Sequence, residues 1–149
     1  MNYDFKLNSN KREGVTLEDF KGKKLVLYFY PKDNTSGCTL EAQEFAEHYE
    51  EIKALGAEVV GLSKDTVRTH ENFAKKYELP FELLSDPDRV VLEQYDLIKL
   101  KKMYGKEVRG TVRFTFIFDE NSNLIKEFRD VKAAGHAEEV LEYLKGLEK

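Results

Sequence analysis

The sequence predicts an α/β protein with a central mixed β-sheet flanked by helices on both faces. Three observations carry this. Segments rich in β-branched and aromatic residues alternate with segments of helical periodicity, the pattern of parallel strands joined by helical crossovers. The segment Leu25 to Tyr30 is apolar almost without alternation, as a central strand buried on both faces must be. Late in the chain, Thr111 to Asp119 and Leu124 to Phe128 flank the turn Glu120-Asn121-Ser122-Asn123, a hairpin signature that adds antiparallel strands.

The elements follow in order. Phe5 to Phe20 is a set of short extended pieces around Asn8-Ser9-Asn10 and Gly14, ending in a brief helix at Leu17 to Phe20 with Thr16 at the N-cap position. The strand Leu25 to Tyr30 leads into the polar stretch Pro31 to Cys38 and then a helix from about Gly37 to Leu55. Ala42, Phe45, Ala46, Tyr49 and Ile52 form its apolar stripe, with Glu41, Glu44, Glu47, Glu50 and Glu51 mostly elsewhere and Gly56 as a C′ residue. A strand at Glu58 to Ser63 and a helix from about Val67 to Tyr77 come next, and Leu79-Pro80 breaks that helix. Phe81 to Leu84 reads as a short strand, Val90 to Tyr95 as a helix, and Lys99 to Gly110 as a charged, ambiguous stretch. The closing helix runs from about Ala134 to Leu147, with Ala137, Val140, Leu141 and Leu144 facing inward. No repeat, low-complexity tract or linker interrupts the pattern, and 149 residues fit a single domain, 1–149.

Composition excludes several classes. The first residues, Met1 to Lys6, lack the basic-then-apolar pattern of a signal peptide, and no apolar run approaches the roughly 20 residues that span a bilayer. The expected location is cytoplasmic, with no membrane partner. A net charge of −4 argues against nucleic acid, which wants a basic footprint, and the Lys99-Leu100-Lys101-Lys102 cluster reads as a solvated face. His48, His70 and His136 lack tight ligand spacing, so they read as structural or surface residues and no metal is expected.

The single cysteine, Cys38, admits no internal disulfide. It stands four residues before Ala42 and seven before Phe45, on the apolar stripe, where a cysteine packs as a small hydrophobe. Its neighbours point to chemistry. A polar loop separates it from Tyr30, and a cap at Thr35 or Ser36 sets it in the first turn of the helix. There free N–H groups and the positive end of the helix dipole favour an anion. Full ionisation of an ordinary thiol raises its thiolate fraction about thirty-fold at neutral pH, and lower basicity takes back part of that gain. A fast enzyme therefore also needs donors aimed at the charge developing on the atom under attack. Arg113, beside the apolar strand Phe114 to Phe118, is the candidate, because its guanidinium is permanently charged and forked.

Pro31, Thr35 and Cys38 stand in the pattern Pro-x-x-x-Thr-x-x-Cys, and the string Phe29-Tyr30-Pro31-Lys32-Asp33-Asn34-Thr35-Ser36-Gly37-Cys38-Thr39-Leu40-Glu41-Ala42 surrounds it. With Gly61 to Asp65, Lys76 to Phe81, Leu84 to Asp88, Lys102 to Lys106, Val112 to Phe116 and Gly135 to Leu141, this string resembles the peroxiredoxins, in their bacterioferritin-comigratory or Q-type branch. The resemblance is collinear over nearly the whole chain. It implies a thioredoxin-like fold and a thiol-dependent peroxidase that reduces hydrogen peroxide and organic hydroperoxides without metal or haem. By position, Cys38 resembles the peroxidatic cysteine that becomes a sulfenic acid, Thr35 the residue that hydrogen-bonds the peroxide, and Arg113 the residue that holds the thiolate and polarises the peroxide. Pro31 would shield the site, Gly37 lies in the motif beside the thiol, and Glu41 would orient the arginine.

Two positions depart from that branch. Many members carry a resolving cysteine five residues after the first, where this chain has Gln43, and Ser36 replaces a common proline. The chain therefore resembles a one-cysteine peroxiredoxin, a monomer or homodimer whose sulfenic acid is resolved by an external thiol such as thioredoxin, glutaredoxin or a small thiol. The alternative is a peroxide sensor or chaperone-like binding protein that signals through oxidised Cys38. A disulfide oxidoreductase would want Cys-x-x-Cys, and Thr35 and Glu41 fill both partner positions.

Overall fold

The computed structural model describes residues 3–103, 106–111, 113–129 and 131–147. Among these, β1 (Lys6–Ser9), β2 (Val15–Thr16), β3 (Lys24–Phe29), β4 (Ala57–Ser63), β5 (Glu82–Ser85), β8 (Phe114–Phe118) and β9 (Leu124–Phe128) form one sheet, in the order β2-β1-β5-β4-β3-β8-β9. β6 (Ile98–Met103) and β7 (Lys106–Thr111) pair as a separate antiparallel hairpin. The helices are α1 (Ser36–Ala54), α2 (Val67–Tyr77), α3 (Val90–Gln94) and α4 (His136–Leu147), and Leu17–Phe20 is a 3₁₀ turn at whose start the Thr16 N–H donates to Asp19. The fold is thioredoxin-like.

β3 lies between a parallel partner, β4, and an antiparallel one, β8, which is why its sequence does not alternate. Its side chains divide between two cores. Val26 and Tyr28 meet Phe45 and Ile52 of α1, Phe73 of α2 and Val140 of α4 on one face. Leu25, Leu27 and Phe29 meet Val91 and Leu92 of α3 on the other. Gly61 of β4 sits opposite Tyr28, and a methyl group there would stand 2.9 Å from the Tyr28 ring and 2.8 Å from Leu83. Only glycine leaves room for that ring.

Helix α1 ends as its sequence implies. Leu55 follows the last turn, and Gly56, with φ of 77°, adopts the left-handed conformation that suits a C′ glycine. One expected strand needs correction, and one ambiguous stretch takes a definite form. The expected strand Thr111 to Asp119 is divided: β7 ends at Thr111 and β8 begins at Phe114, so Arg113 stands outside the ladder as the chain enters the main sheet. The charged stretch Lys99 to Gly110 lies mostly in the β6–β7 hairpin, whose alternation is too weak to read against its lysines. The side chains of residues 98–112 lie outside the described set, and with them the expected solvated face at Lys99–Lys102.

Candidate active site

The site begins where β3 stops. The chain leaves the sheet at Tyr30, turns at half-buried Pro31, and passes Asn34 in the left-handed region (φ 63°). Thr35 is extended (φ −85°, ψ 154°), and its carbonyl accepts from the Thr39 N–H at 2.9 Å, which starts α1. The Thr35 hydroxyl does not cap the helix. It donates instead to the Lys32 carbonyl at 2.9 Å, back across the loop. Cys38 is the third residue of α1 and lies in its first turn, where the N–H groups have no acceptor one turn earlier.

The Cys38 side chain faces inward and is 1% exposed. Arg113 reaches it from just before β8, because Phe29 pairs with Phe114 and the residue before Phe114 therefore stands beside the exit of β3. Its Nη2 donates to Cys38 Sγ at 3.4 Å and its Nη1 to Glu41 Oε1 at 2.6 Å. One guanidinium thus bridges two side chains about one turn apart on the same helix. A methyl group on Gly37 would stand 3.3 Å from Arg113 Nη2, so glycine leaves the guanidinium its place. The Arg113 carbonyl accepts from the Val131 N–H, which ties the arginine to the segment before α4.

Glu41 corrects the stripe reading. Spacing put it off the apolar face, yet it is fully buried, three residues after Cys38 and on the same side of α1. Its Oε2 is one of two buried side-chain oxygens among the described residues without a protein partner; the other is the Tyr28 hydroxyl. Burial pushes the Glu41 carboxyl up to about 7, while Arg113 pulls it down and Glu44 adds to the rise. Burial works against the Arg113 charge, but Glu41 and Cys38 outweigh it and hold the guanidinium above its ordinary value.

A second cluster lies behind the loop and was not legible in the sequence. Asp33, 3% exposed, accepts from the Tyr30 hydroxyl at 2.5 Å and faces His70 Nδ1 of α2 at 2.6 Å. His70 Nε2 meets the Leu84 carbonyl of β5 at 2.8 Å. The three histidines go to different partners: His48 to Glu51, His70 to Asp33, and His136 to Thr115 and Glu139. Burial, the leading influence, draws His136 down from its ordinary value. The only sequence signal for the second cluster is an acidic residue in a loop and a histidine in a helix, which no spacing rule connects.

Residues 2–127 match the AhpC/TSA family. The chain belongs to that family. Among its relatives, this peroxiredoxin is 45% identical to peroxiredoxin Bcp of Bacillus subtilis over 144 residues, 97% of this chain and 92% of the relative. It is 41% identical to peroxiredoxin Bcp of Xanthomonas campestris over 143 residues, 96% of this chain and 89% of the relative. A solved structure of the Xanthomonas campestris bacterioferritin comigratory protein, reported with that protein's alkyl peroxide reduction activity, superposes with a TM-score of 0.92. It is 40% identical and covers 97% of this chain and 92% of that one. Peroxidoxin BcpB of Mycobacterium tuberculosis, at 28% identity, superposes with a TM-score of 0.85 over 98% of this peroxiredoxin and 94% of that chain.

Proposed function

We propose that this peroxiredoxin is a thiol-dependent peroxidase in which Cys38 attacks hydrogen peroxide or an organic hydroperoxide. The observation that carries the reading is the forked contact of Arg113 with Cys38 Sγ at 3.4 Å and Glu41 Oε1 at 2.6 Å. That fork puts a permanent positive charge against the nucleophile and holds it in direction through a buried carboxylate. The family to which the chain belongs supports the same reading.

The Cys38 thiolate attacks the nearer peroxide oxygen. The S–O bond forms as the O–O bond breaks, and the departing oxygen leaves as water or an alcohol once it takes up a proton. Arg113 Nη2, already on the sulfur, stabilises the negative charge as it passes from sulfur to the departing oxygen. The Thr35 hydroxyl spends its proton on the Lys32 carbonyl, so its lone pairs are left to accept the O–H of the peroxide. Pro31 and Gly37 are supporting residues. Pro31 adds no N–H of its own at the loop entrance, and Gly37 leaves room for the guanidinium.

The product is a Cys38 sulfenic acid. With one cysteine in the sequence, its reduction takes two external thiol groups. The first forms a mixed disulfide with loss of water, and the second releases the Cys38 thiol. The reductant is thioredoxin, glutaredoxin or a small thiol, acting on a single domain that is a monomer or homodimer in the cytoplasm. No helix among the described residues is long and apolar enough to cross a membrane.

The test is rapid-quench mass spectrometry of reduced protein mixed with stoichiometric hydrogen peroxide, beside Cys38→Ser. Fast addition of one oxygen at Cys38 is the expected result, followed by sustained turnover when a thiol is supplied. Oxidation no faster than that of free cysteine would overturn the reading, and a long-lived mixed disulfide with one protein, without turnover, would favour a sensor.

A further inference from the structure

The cluster behind the loop bears on the position of Cys38. His70 is fully buried, and both its ring nitrogens face oxygen atoms. The Leu84 carbonyl only accepts, so Nε2 carries a hydrogen. Nδ1 and Asp33 Oδ2, 2.6 Å apart, share one further proton, because two bare lone pairs would repel at that distance. The other Asp33 oxygen accepts from Tyr30. Asp33 is held by its main chain as well: its N–H donates to Asp65 Oδ2 at 2.9 Å. Asp65 in turn is fixed by the Ser63 hydroxyl at 2.6 Å and, through its carbonyl, by the Ser85 hydroxyl at 2.6 Å.

Tyr30 directly follows β3, every other partner belongs to β4, β5, α2 or the turn between β4 and α2, and none belongs to α1. Asp33 is thus pinned to the body of the sheet two residues before Thr35. The next residue, Asn34, takes the left-handed conformation, and Asn34, Thr35 and Ser36 are exposed. The loop has a fixed half ending at Asp33 and a solvated half ending at the helix. The Thr35 hydroxyl reaches back from the second half to the Lys32 carbonyl in the first.

We infer that His70 is a positioning residue of the peroxidase site, acting through Asp33 to hold the loop from which Thr35 and the first turn of α1 are presented to Arg113. The inference rests on the peroxidase reading above. It assigns to a histidine of another helix control over where the peroxide is bound, and it places the first bend of any opening of the Cys38 turn at Asn34, beyond the anchor. His70 touches neither the sulfur nor the peroxide, so its effect is on geometry alone.

The test uses the full chain carrying His70→Gln, Asp33→Asn or Tyr30→Phe. Tyr30→Phe removes one hydroxyl from the anchor and keeps the ring. Two single-turnover rates at Cys38 are compared: oxidation by hydrogen peroxide, which needs a placed substrate, and alkylation by iodoacetamide, which needs only an accessible thiolate. His70→Gln and Asp33→Asn are expected to slow oxidation about ten- to a hundred-fold, the scale of a misplaced reacting group, with alkylation unchanged or faster. Tyr30→Phe is expected to slow oxidation by a smaller factor with the same split, and it carries the test if the other two fail to fold. Oxidation within twofold of the parent in any folded variant would overturn the inference, and so would equal slowing of both rates. A slow parent would instead remove the peroxidase reading on which the inference stands.

Discussion

Phe29 and Phe114 face one another across the β3–β8 ladder, at the point where β3 ends and β8 begins. That antiparallel pairing brings the residue after Phe29 and the residue before Phe114 to the same edge of the sheet. The loop to Cys38 leaves from one, and Arg113 is the other. The contact between Arg113 Nη2 and Cys38 Sγ, across 75 residues of sequence, is a consequence of strand register.

Arg113→Ala is expected to slow Cys38 oxidation by about a hundred- to a thousand-fold, the usual effect of removing one charged donor from developing charge. Arg113→Lys is expected to recover only part, because one ammonium cannot hold Sγ and Glu41 Oε1 in a fixed fork. Stopped-flow oxidation with limiting peroxide checks both. Equal rates for Lys and Arg would show that charge alone, without geometry, does the work.

Gly37→Ala is expected to separate stability from rate. Alanine favours a helix interior by about 1 kcal/mol over glycine, although the first turn realises only part of that. The same methyl group would press on Arg113 Nη2 from 3.3 Å. The variant should resist denaturant as well as the parent or better, yet oxidise more slowly, by less than Arg113→Ala. Unfolding midpoints and oxidation rates measured together decide it, and an unchanged rate would mean that the guanidinium yields freely.

Glu41→Gln is expected to change how stability depends on pH. The Glu41 carboxyl is raised from 4.5 to about 7, chiefly by burial, so the folded chain keeps a proton that the unfolded chain has released between those values. The stabilisation from this group is fully present below about 4.5 and is lost as pH rises through about 7. Subtracting the variant from the parent isolates it: the difference in unfolding free energy should move against the parent from pH 5 to pH 8. A difference that stays constant would show that the carboxyl ionises in its ordinary range.

Gly61→Ala is expected to cost about 1–3 kcal/mol, as overpacking of a filled core does. The added methyl group meets Leu83 at 2.8 Å and the Tyr28 ring at 2.9 Å, and Tyr28 is itself stacked on Phe45 of α1 with ring centroids 4.7 Å apart. Urea unfolding measures the loss. A neutral result would mean that the Tyr28 ring can shift on its strand.

Local patterns along the chain are enough for most of the elements and for the chemistry of one residue. Helical and strand periods are local properties, so α2 and β9 have the bounds that spacing implies, and Cys38 falls in the first turn of α1 behind a polar loop. A count of one cysteine was enough to exclude an internal disulfide. The family resemblance adds Glu41 to Arg113 as a residue beside the thiol. Which groups meet is a matter of strand order and packing. Glu41 lies off the apolar stripe by composition, yet Arg113, 72 residues away, draws it into the interior, because a buried charge needs a partner that no local pattern contains. Asp33 and His70, 37 residues apart, are polar residues of unrelated segments until β3, β4 and β5 align and bring α2 against the loop. Periodicity is written along the chain, whereas partnership depends on strand order and register, and those emerge only when the sheet is assembled.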